Sequence, residues 1–138
     1  CKFNEEMSIA QTRLDNIFGM AALIAAYNDG EEWLDQAIAY VSDNKAYLDQ
    51  FLRERIPQIR MIPSEGTYLV WLDCSQLPYR GRALEQFMIN EAKVAFCAGY
   101  EFGEQGEAFL RMNVACPRCT LTKALEQIEK AVNALSLQ

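Results

Sequence analysis

The stretch Phe109-Leu110-Arg111-Met112-Asn113-Val114 constrains this chain more than any other. Its side chains alternate with a period of two, the pattern of a strand packed from one side. Leu110, Met112 and Val114 form one apolar face, which requires a core, while Phe109, Arg111 and Asn113 form the other. Two residues apart on one side of a sheet, the guanidinium and the amide stand about 7 Å from each other. Such a face looks into a cleft or lies in solvent, and the pattern by itself leaves both open. An arginine fixed on a strand suits a planar carboxylate, which it holds through two parallel hydrogen bonds. Pro117 cannot donate to a ladder and stops the strand.

Upstream the period is helical. Residues 7 to 28 predict a helix, with Ile9, Leu14, Ile17, Phe18 and Leu23 among its apolar positions. From Phe18 to Tyr27 the apolar residues cover nearly all sides, which calls for burial between two layers or against a neighbour. Asn28-Asp29-Gly30 ends it as a turn. A long helix is predicted from Glu31 to Ile56, with acids in its first turn, Arg53 and Arg55 in its last, and Pro57 beyond. At 1.5 Å per residue it would be about 40 Å long, enough to bridge two lobes.

The period then changes. Ile59 to Ile62 reads as a short strand, Pro63-Ser64-Glu65-Gly66 as a turn, and Thr67 to Asp73 as a strand apolar on both faces and therefore central. Arg82 to Ala92 predicts a short helix, Val94 to Cys97 a third strand, and Ala98 to Glu107 a loop with three glycines. A closing helix runs from about Thr120, with Leu121, Leu125, Ile128 and Val132 on one stripe. Strands joined by short turns pair antiparallel. The expected class is α+β: an antiparallel-rich sheet of about four strands with helices on one face, preceded by the long helix.

Composition removes several functions. The net charge of −6 argues against a nucleic-acid backbone or an anionic membrane as partner. The longest apolar run, Ile17 to Tyr27, is too short to span a bilayer. The chain contains no histidine, which removes Ser-His and Cys-His nucleophile pairs and most zinc sites. Five cysteines at irregular spacing fit reduced thiols in a cytoplasmic protein better than a disulfide framework. A polar, acidic start without Met suggests a fragment and no secretory signal.

Three short motifs need weighing. Cys116-Pro117-Arg118-Cys119 has the C-x-x-C redox spacing and precedes a helix, yet it lies after a late strand rather than in the first βαβ unit of a redox fold. Ser42-Asp43-Asn44-Lys45 matches S-x-x-K without the K-T-G that accompanies it in penicillin-recognising enzymes. It reads as a local polar gap in the long helix, with the lysine stem reaching to solvent. The loop from Gly99 to Gly106 carries acids that repel phosphate, so it reads as a lid or a cleft-shaping loop rather than a nucleotide cradle.

Three runs stand in order: Glu65-Gly66-Thr67-Tyr68-Leu69-Val70-Trp71-Leu72-Asp73, then Gly99-Tyr100-Glu101-Phe102-Gly103, then Phe109 to Arg118. Together they resemble the C-terminal part of class I/II aminotransferase-fold enzymes, which use pyridoxal phosphate. The branch they most resemble is that of the cystathionine β-lyase-like C–S lyases. The long helix with Trp33, Leu34 and Asn44 is similar to that family's interdomain helix. The resemblance implies that residues 1–30 hold the last helix of a large domain, and 31–138 a small substrate-binding domain with its interdomain helix. It implies that Arg111 binds the α-carboxylate of an amino-acid substrate, with Asn113 beside it. None of Lys2, Lys45, Lys93, Lys123 or Lys130 stands in the context of the family's cofactor lysine. The pyridoxal phosphate would then be held by a missing N-terminal domain, in a cytoplasmic homodimer, with no catalytic residue and no activity in this piece alone. An aminotransferase is the alternative within the family. A cofactor-free module that presents Glu101 to Glu107 to a partner, and a thiol redox role for Cys116 and Cys119, are the alternatives outside it.

Overall fold

The computed structural model describes residues 16–135, as two compact units that divide between Ile38 and Ala39. The predicted helical residues 7 to 15, with Ile9 and Leu14, lie outside the described part.

In the first unit, helix α1 spans Ile17–Asp29. Asn16 caps it, its Oδ1 accepting from the Gly19 N–H at 3.1 Å, which satisfies one of the free donors of the first turn. No residue of α1 is buried: Phe18 is 85% and Tyr27 84% exposed. Among the described residues, none supplies the burial expected of an all-apolar helix.

Helix α2, Glu31–Arg55, begins in the first unit and ends in the second. The second unit then adds β1 (Arg60–Met61), β2 (Leu69–Asp73), α3 (Gly81–Phe87), β3 (Cys97–Ala98), β4 (Phe109–Asn113) and α4 (Arg118–Leu135). The strands form one antiparallel sheet in the order β1-β2-β4-β3. The central position read for β2 and the α+β class are both found. Val70, Leu72, Leu110 and Met112 point inward and meet Leu48 and Leu52 of α2, Leu84 of α3, and Leu121, Leu125 and Ile128 of α4. The alternation of β4 is therefore real, and cutting Leu72 to alanine in such a core would cost about 2–5 kcal/mol.

Two boundaries differ from expectation. The helix predicted over Arg82 to Ala92 starts at Gly81 and widens to a π turn over Met88–Ala92, which Lys93 ends at φ 56°. The strand predicted over Val94 to Cys97 is reduced to Cys97–Ala98, the two residues that reach Arg111 and Leu110 of β4. Val94 and Phe96 are apolar because they pack against the core, not because they join a ladder. The glycine loop is folded rather than free, as two 3-10 turns over Gly99–Phe102 and Glu104–Gly106.

Candidate functional site

The outward face of the sheet is built by register. Arg111 pairs with Trp71 of β2 on one side and Cys97 of β3 on the other. Phe102, at the end of the first 3-10 turn, covers both central residues. Its ring centre lies 5.2 Å from that of Trp71, edge to face, and 4.6 Å from the guanidinium carbon of Arg111. Phe109 adds a second edge-to-face contact to Trp71 at 6.5 Å. The guanidinium thus sits on an aromatic floor that limits its rotamers and excludes water from its stem.

Among the described residues Arg111 has no counter-charge and forms no ion pair; its Nη2 donates to Cys97 Sγ at 3.4 Å, and its buried Nε has no hydrogen-bond partner. A thiol is a weak acceptor that an anion readily replaces. A half-buried guanidinium with so little compensation favours an anionic ligand, because desolvation without pairing is unfavourable.

Asn113, the other predicted site residue, lies on the same face of β4 and is exposed. Its Oδ1 accepts from the Ala115 N–H at 2.8 Å, which turns the chain out of the strand and leaves only its amide N–H groups for a ligand.

The polar gap read at Asn44 and Lys45 is overturned. Asn44 is 0% exposed, with its amide donating to the carbonyls of Val114 and Cys116 and accepting from Arg118 Nε. The Lys45 ammonium does not reach for solvent but donates to the carbonyls of Ser64 and Gly66, 3.1 Å from each. The signal was present in the sequence: asparagine inside an apolar helical stripe is unfavourable unless partners wait for it.

The Cys116 thiol is pushed up by burial and by neighbouring Cys119, the reverse of the activation that a redox pair needs. Cys74, Cys97, Cys116 and Cys119 are all free thiols. Glu101, Glu104 and Glu107 are exposed on the folded glycine loop, and the Glu107 carbonyl accepts from the Gly81 N–H at 2.8 Å.

Lys45, Lys93 and Lys130 do not build a cradle for pyridoxal phosphate. Lys45 is occupied by turn carbonyls, and Lys93 and Lys130 line a cavity of about 590 Å³ with Tyr79, Phe87 and Gln127, residues of the helical layer.

No family model matches the chain. The chain is similar to the protein MalY of Escherichia coli, at 35% identity over 120 residues that make up 87% of this chain and 31% of MalY. It is equally similar to cystathionine beta-lyase PatB of Bacillus subtilis, at 35% over 118 residues, 86% of this chain and 30% of PatB. Among solved structures, cystalysin from Treponema denticola, which contains a pyridoxal 5′-phosphate cofactor, superposes with a TM-score of 0.84 at 34% identity, covering 87% of this chain and 30% of cystalysin. The chain spans about a third of the length of the relatives it matches.

Proposed function

With the chain belonging to the class I/II pyridoxal-phosphate enzymes, in the branch of MalY and PatB, and matching their C-terminal domain, we propose that it is the substrate-carboxylate part of a C–S β-lyase. The observation that carries this reading is Arg111: a guanidinium held over Phe102, beside Trp71, with no anion of its own among the described residues. Its terminal guanidinium nitrogens grip the α-carboxylate of an amino acid such as cystathionine, which displaces the Cys97 thiol from Nη2. Asn113 adds an amide donor from the same strand face. The aromatic neighbours fix where the carboxylate lands, so the substrate's α-carbon is presented in one orientation.

Pyridoxal phosphate, when bound in the whole enzyme, supplies the electron sink for the bonds around that α-carbon. It is held by polypeptide outside the described residues, and this chain alone is inactive. The exposed apolar side chains of α1, such as Phe18 and Tyr27, belong to the large domain and are covered by it in the complete, homodimeric protein.

Kinetics of the full-length enzyme test the reading. Loss of a bidentate charge-assisted pair is worth roughly 2–4 kcal/mol, so Arg111→Ala should raise KM for cystathionine by a factor of tens to several hundred. Arg111→Lys, which keeps the charge and loses the fork, should fall between. An unchanged KM in Arg111→Ala overturns the assignment.

A further inference from the structure

Asn44 and Lys45 are neighbours on α2, both in the second unit, and together they hold both connections at one end of the β2–β4 pair. The Asn44 amide donates to the Val114 carbonyl at 2.8 Å and the Cys116 carbonyl at 2.9 Å, and its Oδ1 accepts from Arg118 Nε at 2.7 Å. Both of its N–H bonds and its oxygen are thereby used. Lys45 Nζ donates to the carbonyls of Ser64 and Gly66, and Ser64 Oγ donates to the Gly66 carbonyl at 2.7 Å. The turn before β2 is closed on itself and tied to the helix.

The two clamped segments also meet each other. The Val114 N–H donates to the Tyr68 carbonyl at 3.0 Å, one step beyond the Leu69–Asn113 register pair. Trp71 and Arg111 form the pair two residues further in. Neither connection keeps its shape through regular structure. Pro117 has no N–H to give, and Thr67 sits at φ 58°, where a β-branched residue is strained. The carbonyls of Val114 and Cys116 lie past the last residue of the ladder. The helix supplies from two adjacent side chains what the sheet cannot supply at this end, and it does so for the two strands that carry Trp71 and Arg111.

We propose that Asn44 and Lys45 are positioning residues for the carboxylate grip, acting through the clamped ends of β2 and β4 to hold Arg111 in register with Trp71. This rests on the reading of Arg111 as the carboxylate ligand. Removing either clamp lets the strand ends shift, and a displacement of about 1 Å at a binding group can cost up to about 100-fold in a reaction.

The test compares two ligands in the full-length holoenzyme by calorimetry: an amino acid, and the amine that lacks its carboxylate. Asn44→Ala and Lys45→Met should weaken amino-acid binding by about 10-fold while leaving amine binding within about twofold, as expected for a misplaced grip. Lys45→Arg, which can still donate to turn carbonyls, should restore most of the loss. Each clamp variant combined with Arg111→Ala should add little to Arg111→Ala alone, since the two act through one contact. If Arg111→Ala separates the two ligands but neither clamp variant does, this inference is overturned and the function stands. If Arg111→Ala itself does not separate them, the proposed function fails instead. Equal weakening of both ligands in the clamp variants would make the clamp a matter of stability only and overturn its positioning role. Should Asn44→Ala not fold, Lys45→Met decides, since Lys45 is only half-buried.

Discussion

Trp71 and Arg111 are register partners on the two central strands, and Phe102 contacts both, edge to face with the indole and face-on with the guanidinium. The arginine's position is thus set by a ladder, and its orientation by an aromatic ring from the loop that precedes its strand. A site assembled in this way makes separate predictions for the loop, the strand and the thiols around it.

The first concerns the ring. A cation–π contact at a partly exposed site is worth about 0.5–1 kcal/mol, so Phe102→Ala should raise KM for the amino-acid substrate about two- to fivefold. Phe102→Tyr keeps a face for the guanidinium and should behave as the parent. Steady-state kinetics on the full-length enzyme check this, and an unchanged KM in Phe102→Ala would mean that the ladder alone orients Arg111.

The loop that delivers Phe102 depends on two glycines. A Cβ at Gly99 would collide with the carbonyl oxygens of Gly106 and Phe109, and one at Gly106 with the carbonyl oxygen of Gly99. The obstacles are backbone, so they cannot swing aside. Gly99→Ala should lower stability by about 1–3 kcal/mol, the usual penalty for forcing atoms into a packed site. Gly66→Ala, where a Cβ meets nothing within 4 Å, is the control and should be close to neutral. Urea unfolding of both variants measures the difference.

Thiol reactivity should follow burial. Cys74 is fully buried and its thiol is pushed up to about 12 by burial, with nearby Asp73 adding to the shift. Under native conditions at neutral pH, iodoacetamide should modify exposed Cys119 before half-buried Cys116, and Cys74 last or only on unfolding. Peptide mass mapping over a time course reads the order. Fastest labelling at Cys116 would reopen a redox role for the C-x-x-C pair.

Stability should respond to acid through Asp73. Burial raises its carboxyl, but the hydrogen bonds from Ser75 and the Arg60 guanidinium at 2.9 Å outweigh burial and hold it below its ordinary 3.8. A carboxyl lowered on folding contributes stability that is fully present above the unfolded value and is lost as pH falls through the folded one. The stability gap between the parent and Asp73→Asn should therefore be constant from pH 7 to about pH 5 and shrink below about pH 4. A gap that widens on acidification would contradict the sign.

Much of this fold is legible in the residues because local patterns carry it. The two-residue period of Phe109 to Val114 identifies the strand, its buried face and the outward direction of Arg111 without any tertiary information. The helical period and terminal charges of Glu31 to Arg55 identify the long helix to within a residue. What stayed hidden depends on atoms distant in sequence. Asn44 and Lys45 look like a flaw in an apolar stripe until carbonyls 19 to 72 residues away are seen to receive them. The strand read at Val94 to Cys97 fails for the same reason, since a strand extends only as far as its neighbour does.

Sequence alone determined which residues face the core and which face outward, because periodicity is a property of the chain itself. Only the tertiary structure decided what holds the outward face together, since the ring over Arg111 and the clamp at the ends of β2 and β4 are hydrogen bonds and stacking contacts between segments whose proximity no local pattern encodes.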